Sequence, residues 1–398
     1  MSLTKDQERA VWNALDALTI EIPSWGFANT GTRFGKFLQD SAANSIEEKL
    51  EDAGQVHNLT GVCPSVAVHA GWDFPDGVES APRIAEKATQ FGVRIGSVNP
   101  TLFEEQCYKH GSLGNPDPEI RTKALKHILD SLEIARRVGS RDVVLWFADG
   151  SNYPGTANIR GRKRWFQEAL VRVGEAAGDE IRLLVEYKPF EPAFYHTDIA
   201  DWGMALLLAK SAGKNARVLV DTGHHYPTQN IEQIVAWLLS EGMLGGFHLN
   251  DRRYGDDDLT SGSIDPYQLF RIFHEICFFR WETSYLPDIA YMIDQSHNLK
   301  NKLEAMVQTV DSVQEMYSRA SLVDYSRLVS AQSESELIDA ENCLKEAFFS
   351  DVRPAVQGWR RARGLPEDPL IELRESGYLE QKADERREKN RSGLSSYV

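Results

Sequence analysis

The sequence predicts an α/β fold, a (β/α)8 TIM barrel with a C-terminal helical extension, and three observations carry that expectation. Strand-length apolar runs alternate with helix-period segments eight times between Ser24 and Arg319. Parallel strands need helical crossovers, and eight of them close a ring whose interior side chains can fill. No G-x-G-x-x-G fingerprint follows the first strand, which disfavours an open doubly wound sheet.

Taken in order, residues Thr4 to Thr19 carry helical spacing at Val11, Leu15 and Leu18, and Ser24 to Asn29 reads as a first short strand. The glycine-rich stretch Thr30 to Gly35 lacks the lysine and hydroxyl pair of a phosphate loop. A helix then runs to about Asp52, with Ile46 and Leu50 four apart, and Ser65 to Asp73 forms a second strand with His69 and Asp73 near its end. Helix Ala81 to Gln90 leads to strand Arg94 to Asn99. Helix Pro118 to Val138, with its apolar stripe Ala124, Ile128, Leu132 and Ala135, leads to strand Asp142 to Gly150.

Helix Lys163 to Ala177 precedes the fifth strand, which contains L-L-V-E-Y-K-P-F. Helix Asp198 to Ser211 precedes the sixth, V-L-V-D-T-G-H-H. Helix Ile231 to Glu241 precedes the seventh, G-G-F-H-L-N-D. Helix Pro266 to Phe279 precedes the eighth, D-I-A-Y-M-I-D-Q. Helix Lys300 to Arg319 closes the ring, so the barrel with its N-terminal helix occupies residues 1–320. Residues 321–398 form a helical extension, assigned to oligomer contacts, with helices over Ser333 to Asp351 and Val352 to Ala362 and a mixed-charge run from Gln381 to Arg391.

Bulk properties narrow the function classes. No apolar run approaches the roughly 20 residues that span a bilayer, and the N-terminus lacks the basic-then-apolar order of a signal peptide. The four cysteines form no C-x-x-C pair, so zinc ribbons and dithiol motifs are excluded and a reducing, cytoplasmic setting is expected. A net charge of −15 opposes nucleic-acid binding. The densest basic run, Arg160 to Arg164, reads as a solvated helix face.

Strands five to eight each stop on a metal-capable residue: Glu186, Asp221, His248 and Asp294. Strand carboxyl ends share one mouth in such a barrel, so these four would meet around a divalent cation. His224 lies three residues beyond Asp221, and Asp256 and Asp258 alternate in D-D-D, so Asp221 could bridge to a second ion. Oxygen-rich sets with one imidazole favour Mn²⁺, with Co²⁺ or Mg²⁺ as substitutes. Each residue alone has a plainer reading: a helix cap, a solvated turn or a hydrogen-bonded core histidine. Recurrence at one rank in four successive units is what favours the metal. Lys188, two beyond Glu186 on the same face, would polarise a substrate oxygen or pair with a ligand carboxylate. Trp25, Trp72, Trp146 and Phe34 could wall a sugar pocket, and His69 could bond a sugar oxygen, although core packing explains each of them equally well. His225 would point to the opposite face and receives no role.

The set E-Y-K-P-F-E-P, D-T-G-H-H, H-L-N-D-R-R-Y-G-D-D-D-L-T-S-G and the late Asp294 closely resembles the L-rhamnose isomerases of the Pseudomonas type, relatives of the xylose isomerases. The resemblance covers about Pro23 to Arg319. It implies a structural Mn²⁺ on Glu186, Asp221, His248 and Asp294, and a catalytic one on Asp221, His224, Asp256 and Asp258. It further implies Lys188 near the first substrate oxygens, a homotetramer, and Phe34 as the aromatic that covers a neighbour's pocket. The implied reaction is aldose–ketose interconversion, L-rhamnose to L-rhamnulose, with Asp256 or Asp258 orienting the water that moves a proton. Three rival readings are a ketose 3-epimerase, a metal-dependent phosphodiesterase acting on DNA and a non-catalytic sugar-binding barrel. The phosphodiesterase requires a basic groove and a histidine-rich site, against −15 net charge and ten histidines.

Overall fold

In the computed structural model, which describes residues 3–392 except 30, 33, 34 and 191–193, eight parallel strands close into a barrel. They are β1 (Ile20–Pro23), β2 (Ser65–His69), β3 (Arg94–Asn99), β4 (Asp142–Leu145), β5 (Arg182–Glu186), β6 (Ala216–Asp221), β7 (Leu244–Leu249) and β8 (Ala290–Ile293). Each pairs with its neighbours in sequence, and β1 pairs with both β2 and β8 to shut the ring. Helix α1 (Lys5–Ala17) precedes the barrel. The crossover helices are α2 (Ile46–Thr60), α3 (Ala81–Gln90), α4 (Pro118–Val138), α5 (Ile159–Ala177), α6 (Trp202–Ala212), α7 (Ile231–Ser240), α8 (Pro266–Thr283) and α9 (Lys302–Ala320). Among the described residues, no helix is long and apolar enough to cross a membrane.

Helix boundaries follow local chemistry. Helix α4 opens on Asp117, whose side chain accepts from Glu119 N, with Pro118 at its first position. It ends at Gly139 in the left-handed conformation that glycine adopts without a Cβ penalty. Both boundaries match the expected range. The first strand does not. Ser24–Phe27 is a 3₁₀ turn, and the barrel strand lies four residues earlier, at Ile20–Pro23. The I-E-I-P run is too short for alternation to stand out, and Trp25 and Phe27 draw the eye to the turn instead.

Two concentric cores result. Val144, Leu184, Leu219 and Met292 form a small cluster inside the barrel, and a much larger one fills the shell between strands and helices. Side chains two residues apart on a strand share a face. The next inward layer above the inner cluster is therefore set by sequence: Trp146, Glu186, Asp221 and Asp294, each two positions further on. His248 joins this layer because it is the register partner of Asp221.

Beyond α9 the chain forms α10 (Tyr325–Ser333), α11 (Leu337–Phe348), α12 (Arg353–Ala362), α13 (Pro369–Glu375) and α14 (Tyr378–Ser392). This extension packs on the chain's own barrel. Trp359 Nε1 donates to Asp16 Oδ1 at 2.9 Å, fastening α12 to α1. In α14 the mixed-charge run is not a uniformly solvated face: Arg386 is 1% exposed and makes a bidentate pair with Asp52 of α2 at 2.7 and 3.1 Å. Asn390 of α14 donates to Asp40 O and Ala42 O and accepts from Asn29, so the extension grips the loop that leaves β1.

Arg162 corrects a second expectation. It belongs to the basic run read as solvated, but its side chain is buried and its Nε donates to both oxygens of Asp198 at 2.8 and 3.0 Å. Arg160, Lys163 and Arg164 stay exposed. The first turn of α5 faces the loops of the barrel mouth, and a helix turn places only one of these four residues inward.

Candidate active site

A cavity of about 190 Å³ opens at the carboxyl ends of the strands. On one side stand Glu186, His224, His248, Asp256, Asp258 and Asp294; on the other stand Trp25, His69, Trp72, Phe103 and Trp146. Acid and imidazole come from β5 to β8 and the loops after them, and aromatic rings from β1 to β4 and theirs.

Glu186, Asp221 and His248 are all buried, and one donor atom from each lies within 4.8 Å of the others. His248 Nδ1 stands 3.2 Å from Glu186 Oε1, 3.8 Å from Asp221 Oδ2 and 3.6 Å from Asp294 Oδ2. Asp221 Oδ1 accepts from Gly223 N at 2.7 Å and Asn250 Nδ2 at 3.0 Å, whereas Oδ2 is buried without a hydrogen-bond partner among the described residues. A buried carboxylate oxygen with no donor is costly. A divalent cation among these four side chains would satisfy it, so the residues present fit such a group.

A second cluster adjoins the first. His224 Nδ1 faces Tyr187 O at 3.1 Å, leaving Nε2 toward Asp256 Oδ1 at 3.1 Å and Asp221 Oδ2 at 3.7 Å. The Lys188 ammonium pairs with the other oxygen of Asp256. Asp256 and Asp258 both reach the cavity, but through backbone conformation rather than strand alternation: each has a left-handed φ, 52° and 47°. Asp257 between them turns back, and its Oδ2 accepts from Tyr254 N at 2.8 Å. Left-handed backbone at a non-glycine residue costs on the order of 1–3 kcal/mol and persists where surroundings demand it.

Electrostatics bind these groups together. Burial raises the carboxyls of Asp221, Asp258 and Asp294 above their ordinary range, and mutual repulsion adds to it. Burial also opposes ionisation of Glu186, but the adjoining His248 outweighs it and holds this carboxyl low. For Asp256, burial is outweighed by the hydrogen bond from His224 and the charge of Lys188. The site thus holds carboxyls whose ionisation is opposed by burial and by one another.

On the aromatic side, Trp25 Nε1 donates to Asp294 Oδ1 at 2.9 Å, and Trp72 Nε1 donates to Glu104 at 2.8 Å. The His69 and Trp72 rings lie 3.9 Å apart. Burial pushes His69 down to about 3, so its ring is neutral. Trp146 faces the Lys188 ammonium at 5.4 Å. Phe34 lies outside the described residues. Asp73, near the end of the second predicted strand, turns away to Lys49 and Ser24 at 2.6 Å each and is structural. His225 pairs with Tyr187 at 2.7 Å behind the site, consistent with its receiving no role.

Sequence reasoning passed over Asn250 and Phe103. Asn250 orients Asp221, and its only signal is its place in H-L-N-D, two beyond His248. Phe103 sits in a long loop without periodicity and carries no sequence signal.

A closed parallel barrel that converges buried carboxylates and imidazoles at the carboxyl ends of its strands defines the class: a (β/α)8 barrel with a metal-capable mouth. The chain belongs to the xylose isomerase-like TIM barrel family, whose model matches residues 63–285. It is 37% identical over 382 residues to a "probable sugar isomerase" of Rhizobium meliloti, covering 95% of this chain and 88% of that protein. It is 26% identical over 257 residues to the xylose isomerase of Thermus thermophilus, covering 60% of this chain and 64% of that enzyme. Among solved structures, an L-ribulose 3-epimerase superposes with a TM-score of 0.53 at 14% identity, covering 81% of this chain and 98% of the other. A D-psicose 3-epimerase crystallised with D-fructose gives 0.51 at 14%, covering 75% and 96%. These two likenesses establish shared fold.

Proposed function

We propose that this protein is a metal-dependent aldose–ketose isomerase that interconverts L-rhamnose and L-rhamnulose and accepts a range of related sugars. The observation that carries the reading is Asp221 Oδ2, buried without a hydrogen-bond partner among the described residues, in the close group of Asp221 with Glu186 and His248. Similarity to a probable sugar isomerase along nearly the whole chain supports it.

Glu186, Asp221, His248 and Asp294 would hold one divalent cation and Asp221, His224, Asp256 and Asp258 a second, with Mn²⁺ the preferred ion and Co²⁺ or Mg²⁺ substitutes. Bound there, such ions supply charge stabilisation for two neighbouring substrate oxygens. The chain's own groups supply the rest. The aromatic wall of Trp25, Trp72 and Trp146 takes the apolar face of the sugar and excludes water, while neutral His69 bonds a hydroxyl. Lys188 holds a substrate oxygen at C1 or C2.

In the aldose-to-ketose direction, the hydrogen on C2 passes with its electron pair to C1, O2 loses its proton to become the new carbonyl, and O1 gains one. Asp256, kept ionised by His224 and Lys188, is placed to take the O2 proton, and Asp256 or Asp258 to return it to O1. The cavity is smaller than the roughly 300–1,000 Å³ of drug-sized ligands, which suits a single sugar.

The experiment is a panel of aldoses and ketoses incubated with manganese-loaded protein and read by chromatography. Turnover of L-rhamnose to L-rhamnulose is expected. Failure to isomerise any aldose would overturn the reading. In deuterated water, little solvent deuterium should enter at C1; heavy incorporation would replace the direct transfer with an enediol route.

Ketose 3-epimerisation is the second reading. It is favoured by the tightness of the Glu186, Asp221 and His248 group, which describes one ion rather than two. A stoichiometry of one metal per chain with a C3 epimer as product would select it. Retained sugar binding with lost turnover in Asp221→Asn would separate either enzyme from a sugar-binding barrel. A homotetramer in the cytoplasm completes the proposal. It is supported by the exposed Phe194 and Tyr254 on loops that follow barrel strands and by four free cysteines.

A further inference from the structure

A second cavity, about 850 Å³, opens beside the first at the same mouth, between the loops after β3 and β4 and the start of α5. The two share a wall. Phe103 and Trp146 line both, with ring centroids 5.0 Å apart in an edge-to-face arrangement. Trp146 follows Leu145, the register partner of Val185, and its ring faces the Lys188 ammonium at 5.4 Å, so a sugar held by Lys188 lies against this wall and beside the outer cavity.

The outer cavity has a different character from the inner one. Tyr108, Tyr153 and Trp165 contribute rings, Asn152, Thr156 and Asn158 contribute amides and a hydroxyl, and Lys109, His110 and Arg162, the last paired to Asp198, also line it. Among the described residues no carboxylate lines it, although the chain carries a net charge of −15. Flat apolar rings interleaved with neutral hydrogen-bonding groups match the two faces of a sugar ring, one made of C–H and one of hydroxyls.

The floor is held rigid by groups that the proposed reaction does not use. Buried Asp149 accepts from Ser112 N and Oγ at 2.7 Å each and from Gly114 N at 2.8 Å. Arg162, paired to Asp198, donates to His110 O at 3.1 Å. Gly111, at φ 102°, has no room for a side chain: a Cβ there would stand 2.6 Å from Asp149 Oδ2. Buried charge of this kind contributes little net stability. What it does here is lock the loops after β3, β4 and β5 to one another, and a preformed cavity loses less affinity to ordering when it binds.

We propose that the outer cavity is a second carbohydrate subsite, which takes a neutral sugar ring linked glycosidically to the aldose or ketose in the inner cavity. The inference rests on the sugar-isomerase reading of that inner cavity and extends its substrate class to reducing disaccharides.

The test uses the full-length, manganese-loaded protein with lactose, cellobiose and maltose, each set against its own reducing-end monosaccharide and against L-rhamnose. Turnover is read by chromatography and binding by calorimetry. Trp165→Ala and Tyr153→Ala, neither of which touches the inner cavity, should raise KM for a disaccharide at least tenfold and leave that for a monosaccharide within twofold. Monosaccharide turnover with no disaccharide binding overturns the inference and leaves the isomerase reading intact, as do variants that weaken both substrate types equally. A change of oligomeric state in Tyr153→Ala with no change in disaccharide KM assigns the cavity to a second copy of the chain and also overturns it. If nothing is isomerised but disaccharide binding is lost in Trp165→Ala, the subsite stands and the isomerase reading falls.

Discussion

Trp25 at the end of β1 donates its indole N–H to Asp294 at the end of β8, at 2.9 Å, across the seam where the barrel closes. Asp294 is crowded by Glu186, and burial already raises its carboxyl. The charge of His248 and the hydrogen bond from the indole both work against that rise.

Replacing that donor tests the link. Trp25→Phe keeps a ring in the wall but removes a hydrogen bond to a charged group, an interaction of roughly 1.5–3 kcal/mol. Manganese affinity measured by calorimetry is expected to fall by at least about tenfold. An unchanged affinity would dissociate Trp25 from metal binding.

Adding the metal should stabilise the fold. A cation favours the ionised form of the crowded carboxyls at the mouth, and a ligand at 100 times its Kd stabilises by about 2.7 kcal/mol. A melting midpoint several degrees higher with Mn²⁺ than with chelator is expected. Asp221→Asn should abolish that difference and lower turnover at least about a thousandfold. It should nonetheless fold, because an asparagine oxygen can still accept from Gly223 and Asn250.

The C-terminal extension should prove part of the barrel's own stability. Arg386→Met removes the cation from Asp52, which is 0% exposed and keeps the hydrogen bond from the Tyr378 hydroxyl, and breaking a buried ion pair costs about 3–5 kcal/mol. The double variant Arg386→Met, Asp52→Asn should recover most of the loss in denaturant melts. Equal losses in single and double variants would show that the pair is not the source.

His274 provides a pH dependence away from the site. It is buried beside Phe278 and Tyr325, and burial pushes its imidazole down to about 4 from 6.5. The unfolded chain therefore binds the proton first, so stability is full above about pH 6.5 and is lost as pH falls toward 4. Between pH 7 and 4.5 the wild type should lose about 2–3 kcal/mol more than His274→Phe. Parallel losses in chemical denaturation at the two pH values would refute it.

Much of the barrel was legible because repetition averages out local error. Helices α3 and α4 and strand β3 match their predicted ranges: Asp117 and Gly139 mark the ends of α4 locally, and Pro82 and Gly92 those of α3. The first strand was displaced because four residues carry too little pattern. Arg162 was misread because a basic run looks alike whether or not one member meets two buried aspartates from other loops.

Order along the chain determined that four successive strands would end on Glu186, Asp221, His248 and Asp294, because strand period and barrel closure put every second residue inside. Only the tertiary structure decided which oxygens stay unsatisfied, that left-handed backbone rather than alternation turns Asp256 and Asp258 inward, and that a second cavity shares a wall with the first. Those outcomes depend on distances between loops remote in sequence, and a one-dimensional pattern contains periodicity but no such distances.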